Sequence, residues 1–267
     1  MENSVENAVM CGRFTLKTPV LDWLCDLFPD DRRLLEPIAR ALQRANPLLS
    51  APRYNISPTQ PIWSITQTPS GQESISDAVL VEGYPVRMMR WGLVPSWSES
   101  TKVAYSMINA RSETLLEKPS FKNLIRSHRC AIVADGYYEW HQHVGGAESG
   151  IPKQPFWIHR PGEKPFAMAG LWTENRKVQP GHVLASATVI TTDANVDTVK
   201  VHDRMPVLLQ DREAIQRWLS IDTSLEDIAG MLSPAAPGYL STRAVSTQVN
   251  SPRHDGSKLI EECSNSG

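Results

Sequence analysis

The sequence predicts an α+β fold, a single domain with a β-rich centre and flanking short helices. Three observations lead there. A chain of 267 residues with 41% hydrophobic content is long enough to bury its own core without disulfide or metal staples. Its centre holds three segments rich in β-branched and aromatic residues, "RCAIVADGYYEWH", "KPFAMAGLWTE" and "HVLASATVITTDAN", separated by Gly, Pro or polar stretches. Helical patterns stand before and after these strands rather than in strict alternation with them, which argues against a doubly wound α/β sheet.

Taken in order, a polar leader is followed by "FTLKTPVLDWLCDLF" and then by "RRLLEPIARALQRA". In the latter, Leu34, Leu35, Ile38 and Leu42 recur at helical spacing, interrupted by Pro37. From Pro47 to Pro69 the chain is rich in Pro and β-branched residues, a loop leading into a short strand. "DAVLVEGYPVRMMRWGLVPSW" reads as strands around a turn. Short amphipathic helices are expected at "PSFKNLIRSH", capped from the Ser120 region, and at "DREAIQRWLSID", capped by Asp211. Residues 1–10 read as a leader or a misassigned start, 11–255 as the domain and 256–267 as a polar tail, fraying from Glu261.

The net charge of −2 excludes polyanion binding by bulk electrostatics, so any nucleic-acid contact must come from a local patch. No apolar run reaches the roughly 20 residues that cross a bilayer, and Met1 to Val9 lacks the basic and apolar parts of a signal peptide. A soluble, cytoplasmic protein with no membrane association is expected. The four cysteines, Cys11, Cys25, Cys130 and Cys263, are scattered without a C-x-x-C pair, which disfavours both a disulfide framework and a zinc site.

Four strings, "MCGRF", "INARSET", "DGYYEW" and "VHDRMP", place reactive or orienting side chains in settings that are not simply core. Cys11 is the thiol of the first, although a lone Cys is more often a buried small hydrophobe than a nucleophile. Glu139 lies in a predicted strand between Tyr138 and Trp140. Facing the core, it is a general acid or base with a raised pKa; on an edge strand, it is an ordinary solvated Glu. His202 stands four residues before Pro206, which disfavours a helix, and a loop His suits proton transfer near neutral pH. The alternative is a surface His paired with Asp203. Asn109 and Arg111 share a face if extended, which suits phosphate contact or the orienting of a nucleophile; otherwise they are a capping Asn and a solvated Arg. His141 and His143 form an H-x-H pair with no further ligand at a recognisable spacing, so no metal or other cofactor is expected.

In this order, and together with "RYNISPTQ", "RWGLVPSW", "KPSF", "KQPFWI", "AGLW", "TTDAN" and "VHDRMPVLL", these strings resemble the SOS response-associated peptidase family, also called abasic-site processing proteins. The resemblance runs from Met10 to about Asn250. It implies a barrel-like mixed sheet core, binding of single-stranded DNA, and a covalent crosslink to abasic sites made by an N-terminal Cys exposed by loss of the initiator Met. Carried over by position, Cys11 is the crosslinking residue, Asn109 positions it, and Glu139 and His202 are the acid/base pair. Arg111 and Arg204 resemble the family's phosphate contacts, and Trp91 an aromatic that stacks near the lesion. The implied partner is single-stranded DNA with abasic sites, shielded in the DNA damage (SOS) response at the nucleoid by a protein expected to act as a monomer.

The chemistry of a terminal Cys agrees with that implication. Its amine condenses with the sugar aldehyde to an imine, which the neighbouring thiol closes to a thiazolidine. An α-amine has a pKa of about 7.7 to 8 against about 10.4 for Lys, so at pH 7 roughly a tenth is neutral and nucleophilic.

One departure stands out, because nine residues precede Met10 and Cys11 as written has no free amine. Three readings follow: translation begins at Met10; the leader is a propeptide that Cys11 removes with help from Glu139 or His202; or the extension is retained and the activity lost. An alternative function class is a thiol autopeptidase or cysteine protease without a DNA role, pairing Cys11 with His202. A third is a single-strand binder with no chemistry.

Overall fold

A computed structural model describes residues 12–29, 32–47, 50–67, 79–141 and 153–263. The 1–10 leader, Cys11 and His143 lie outside the described residues. The first elements are β1 (Arg13–Leu16), α1 (Val20–Leu27), α2 (Arg32–Ala45), β2 (Arg53–Ile56), β3 (Pro61–Thr66), β4 (Val79–Val81) and β5 (Tyr84–Trp91). The centre holds β6 (Asn109–Arg111), α3 (Leu124–Ser127), β7 (Arg129–Ala134), β8 (Gly136–His141), β9 (Gln154–His159), β10 (Phe166–Asn175) and β11 (Leu184–Asp193). Then follow β12 (Arg204–Pro206), β13 (Leu208–Leu209), α4 (Arg212–Leu219), α5 (Leu225–Met231) and β14 (Ser241–Ala244).

The fold is mixed α+β, as expected, and its core is a barrel. Strands β11, β10, β7, β3 and β5 pair in that order, all antiparallel. A parallel pairing of β5 with β11, Ser186 opposite Arg90 and Ala187 opposite Trp91, closes the ring. Closure leaves no bare edge among these five strands. Every residue of β7 is buried, because its inner face fills the barrel and its outer face is covered in turn. At Gly170 of β10 a Cβ would lie 2.7 Å from the Thr188 carbonyl oxygen and 2.8 Å from Ile132 Cδ1, so only Gly lets these strands approach so closely.

The second sheet is antiparallel and open, in the order β14-β9-β8-β1-β2. The single apolar run "RCAIVADGYYEWH" is divided between the two sheets at Asp135. Its buried carboxylate accepts from Thr15 Oγ1 at 2.5 Å, from the Lys17 and Thr18 amides at 2.6 and 2.8 Å, and from Thr18 Oγ1 at 2.8 Å. Those bonds satisfy an otherwise costly buried charge and bind the end of β1 to the β7/β8 corner.

Several local expectations are revised. α2 buries Leu35, Ala39 and Leu42, while Leu34 is 67% exposed, and Pro37 is carried inside the helix. The region from Ser120 turns irregularly before the four-residue α3, whose Asn123 makes no capping bond. α4 forms as read, with Asp211 accepting from the Ala214 amide at 2.8 Å. The Pro47 to Pro69 segment holds two strands, β2 and β3, rather than one. The tail is not loose as far as Cys263. Leu259 and Ile260 are buried in a cluster with Tyr138 and Trp157, and the Cys263 amide donates to the Ala244 carbonyl at 3.0 Å. Two apolar side chains within a polar stretch outweigh the ordering cost of the chain end.

Candidate functional site

The site grows from the end of β11. On one flank β6 runs parallel to it, with Asn109 opposite Val189 and Arg111 opposite Thr191. On the other flank β12 runs antiparallel, with Arg204 opposite Asp193. The two arginines therefore stand on either side of one strand end, with His202 two residues before Arg204. Asn109 is half-buried and Arg111 exposed. The extended backbone of β6 agrees with the shared face expected for this pair.

The open sheet brings the other half. Arg13 is opposite Tyr138 and Phe14 opposite Tyr137, so the start of β1 runs beside β8, the strand that carries Glu139. Glu139 is only 2% exposed, with Phe156 across the strand pair. It is therefore an interior carboxyl rather than a solvated one. Arg13 secures the start of β1 by donating to Asn55 Oδ1 at 2.9 Å and to the Val249 and Asn250 carbonyls at 2.8 and 3.1 Å. Arg13 was missed as a contributor, although it stands two residues from Cys11 in "MCGRF".

Trp91 links the halves, and here the sequence expectation is corrected. The ring is fully buried, its centroid 4.9 Å from that of Phe14 in an edge-on contact, and its indole N–H donates to the Ile108 carbonyl at 3.1 Å. A ring so enclosed offers no face to a DNA base. It packs as a post between β1 and the residue preceding Asn109. The exposed aromatics nearby in sequence are Trp97 and Tyr105, at 63% and 65%. Trp97 closes the same "RWGLVPSW" string, and the resemblance that pointed to Trp91 carries no information on which of the two rings is exposed.

His202 is half-buried. Its Nδ1 accepts from the Arg204 amide at 3.1 Å and lies 3.0 Å from Asp203 Oδ1. A ring nitrogen that accepts from an amide leaves the proton of the neutral imidazole on Nε2, the tautomer this hydrogen bond assigns. Burial pulls the imidazole below its usual value, and Asp203 offsets this in part, so the ring is mostly neutral at pH 7.

Arg204 is not an open phosphate ligand in this state. Its Nη1 donates to Glu113 Oε1 and to Asp193 Oδ1, both at 2.6 Å. Its Nη2 donates to Glu113 Oε2 and to the Thr191 carbonyl, both at 2.9 Å. The bonded guanidinium holds the Glu113 carboxyl below the ordinary range, and Glu113 in turn raises the guanidinium. Glu113 belongs to "INARSET" but was not singled out, because its partner lies 91 residues away. His141 ends β8, and among the described residues no group of three or more His, Cys, Asp or Glu is gathered to hold a metal.

A closed mixed barrel, an open sheet docked on it through Phe14 and Trp91, and polar side chains around one end of β11 define a compact α+β class of protein. The chain belongs to the SOS response associated peptidase (SRAP) family, whose sequence model matches residues 10–252. It is 35% identical over 253 residues to the abasic site processing protein YoqW of Bacillus subtilis, covering 94% of this chain and 99% of that one. It is 33% identical over 229 residues to the abasic site processing protein HMCES of Gallus gallus, covering 76% of this chain and 64% of that one. The fold is similar to the crystal structure of a Bacteroides thetaiotaomicron protein, with a TM-score of 0.72 at 23% identity, covering 95% of this chain and all of the other. No helix among the described residues is long and apolar enough to cross a membrane.

Proposed function

We propose that this protein acts on abasic sites, and that it binds single-stranded DNA and captures the lesion covalently through Cys11. Membership of the SRAP family and relatives named as abasic site processing proteins support the general role. The observation that carries the finer reading is the pairing of β1 with β8. Cys11 lies two residues before Arg13, a span of at most about 7 Å, and Arg13 is opposite Tyr138, the neighbour of buried Glu139. That short tether and the buried carboxyl of Glu139 support a reading in which Cys11 works beside Glu139.

The chemistry then runs with the freed Cys11 amine. The amine adds to the aldehyde carbon of the ring-opened sugar, and loss of water leaves an imine. The Cys11 sulfur adds to the imine carbon while its proton passes to nitrogen, so the thiazolidine forms with net release of one water. Glu139 serves the proton transfers on the amine and the departing hydroxyl, and neutral His202 serves the opening of the sugar. Asn109 orients the nucleophile, and Arg111 contacts the phosphate backbone. The word "peptidase" in the family description favours a second reading for the leader, its removal by Cys11 attack on the Met10 carbonyl.

Intact mass of the protein expressed from its own gene, before and after mixing with single-stranded DNA carrying one abasic site, tests the proposal. A mass beginning at Cys11 that gains the oligonucleotide less one water is the expected result, absent for Cys11→Ser. Retention of Met1 to Met10 with no adduct overturns it.

A further inference from the structure

The saturation of Arg204 bears on how DNA gains access to it. A guanidinium has five N–H donors. The four on Arg204 Nη1 and Nη2 are taken by Glu113, Asp193 and the Thr191 carbonyl, and Nε is buried without a partner. The one donor not engaged, Nε–H, is shut away from solvent, so none is within reach of a phosphate oxygen. The side chains are also layered, with Arg204 at 12% exposure beneath Glu113 at 48% and Asp193 at 78%. An approaching phosphate meets two carboxylates before it meets the single cation.

Glu113 grips the fork with both oxygens, the bidentate arrangement by which arginine also takes phosphate. Across β11, Arg111 is exposed, and its side chain makes no hydrogen bond among the described residues. One arginine is open and the other is covered.

Resting on the single-strand reading above, we infer that Glu113 is an intramolecular competitor for phosphate at Arg204, and that DNA binds there by displacing it. Glu113 lies two residues past the end of β6, whose backbone is fixed by pairing with β11, so swinging its side chain suffices. Asp193 and the Thr191 carbonyl then keep the fork oriented. The competitor sets the affinity: weak contacts with DNA leave the fork closed, and a strand already held by Arg111 opens it.

The test is fluorescence anisotropy of a labelled, intact oligonucleotide with the parent, Glu113→Gln and Glu113→Asp, folding being checked by thermal unfolding. Glu113→Asp keeps the charge but shortens the reach to the fork, which separates occupancy from bulk charge. Both variants are expected to tighten binding by about threefold or more. The log–log salt dependence should steepen by about 0.7, the increment for one more single-strand phosphate contact. The gain should vanish when Arg204→Met is added. Weaker or unchanged binding by a folded variant, or a gain that persists with Arg204→Met, overturns the inference while leaving the single-strand reading intact. A parent that does not bind the oligonucleotide overturns both.

Discussion

Trp91 stands edge-on to Phe14 with the ring centroids 4.9 Å apart, and through its indole N–H it also holds the Ile108 carbonyl. Three segments far apart in the chain meet at this ring: β1, just downstream of Cys11; the end of β5 in the closed barrel; and the approach to Asn109. A contact of this kind governs how precisely the two halves of the site are held, with no need to touch a ligand.

Trp91→Ala should cost about 3–5 kcal/mol, the usual range for deleting a buried Trp. Trp91→Phe loses the indole N–H while the Ile108 carbonyl keeps the Val189 amide at 3.0 Å, and should cost about 0.5–1.5 kcal/mol for the lost hydrogen bond beyond the smaller ring. Urea unfolding measures both. If Trp91→Ala left stability unchanged but abolished DNA binding, Trp91 would return to the role of a base-stacking ring.

Under the proposed reading, Arg111→Glu should weaken binding to single-stranded DNA at least tenfold at low salt and flatten its salt dependence, since a contact is lost and a repulsion gained. Equal affinity by fluorescence anisotropy would remove Arg111 from the interface.

Stability should fall as pH is lowered through about 6.5, the ordinary imidazole value. Burial pulls His128, His159 and His202 below it. The unfolded chain therefore binds these protons first, and the stability present above the unfolded value is lost on acidification until the folded values are passed. Glu113 adds a separate loss below the ordinary carboxylate value, because its folded value is lowered. The urea midpoint should drop between pH 7.5 and 5.5, and His128→Gln should reduce that drop. A flat profile over this interval would contradict the sign.

Gly170→Ala should destabilise the barrel by about 1–3 kcal/mol, because the new methyl meets the Thr188 carbonyl, which is backbone and cannot rotate away. A thermal midpoint equal to the parent's would mean that β10 and β11 separate at little cost.

Much of the fold was legible because it rests on local rules. The α4 helix is marked by Asp211 and by apolar residues at helical spacing, and burial of Ile215, Trp218 and Leu219 follows from that pattern. The strand β11 is legible as a long β-branched run, and β10 as an apolar and aromatic run between polar stretches. The break at Asp135 is not, since a buried strand reads the same whichever sheet accepts it, and the signal that divides the run is a set of hydrogen bonds from Thr15, Lys17 and Thr18 more than a hundred residues away. Trp91 and Trp97 differ in the same way, being alike in type and six residues apart, one enclosed by Phe14 and the other at the surface.

By itself the sequence determined the class of fold, the family resemblance and the identity of the residues with reactive or orienting groups, because composition, caps, periodicity and motifs are properties of the local chain. The tertiary structure alone decided which of them face solvent, which are satisfied by one another, and that Arg204 is held by Glu113. Burial and ion pairing arise between segments brought together by folding, and residue type by itself cannot report them.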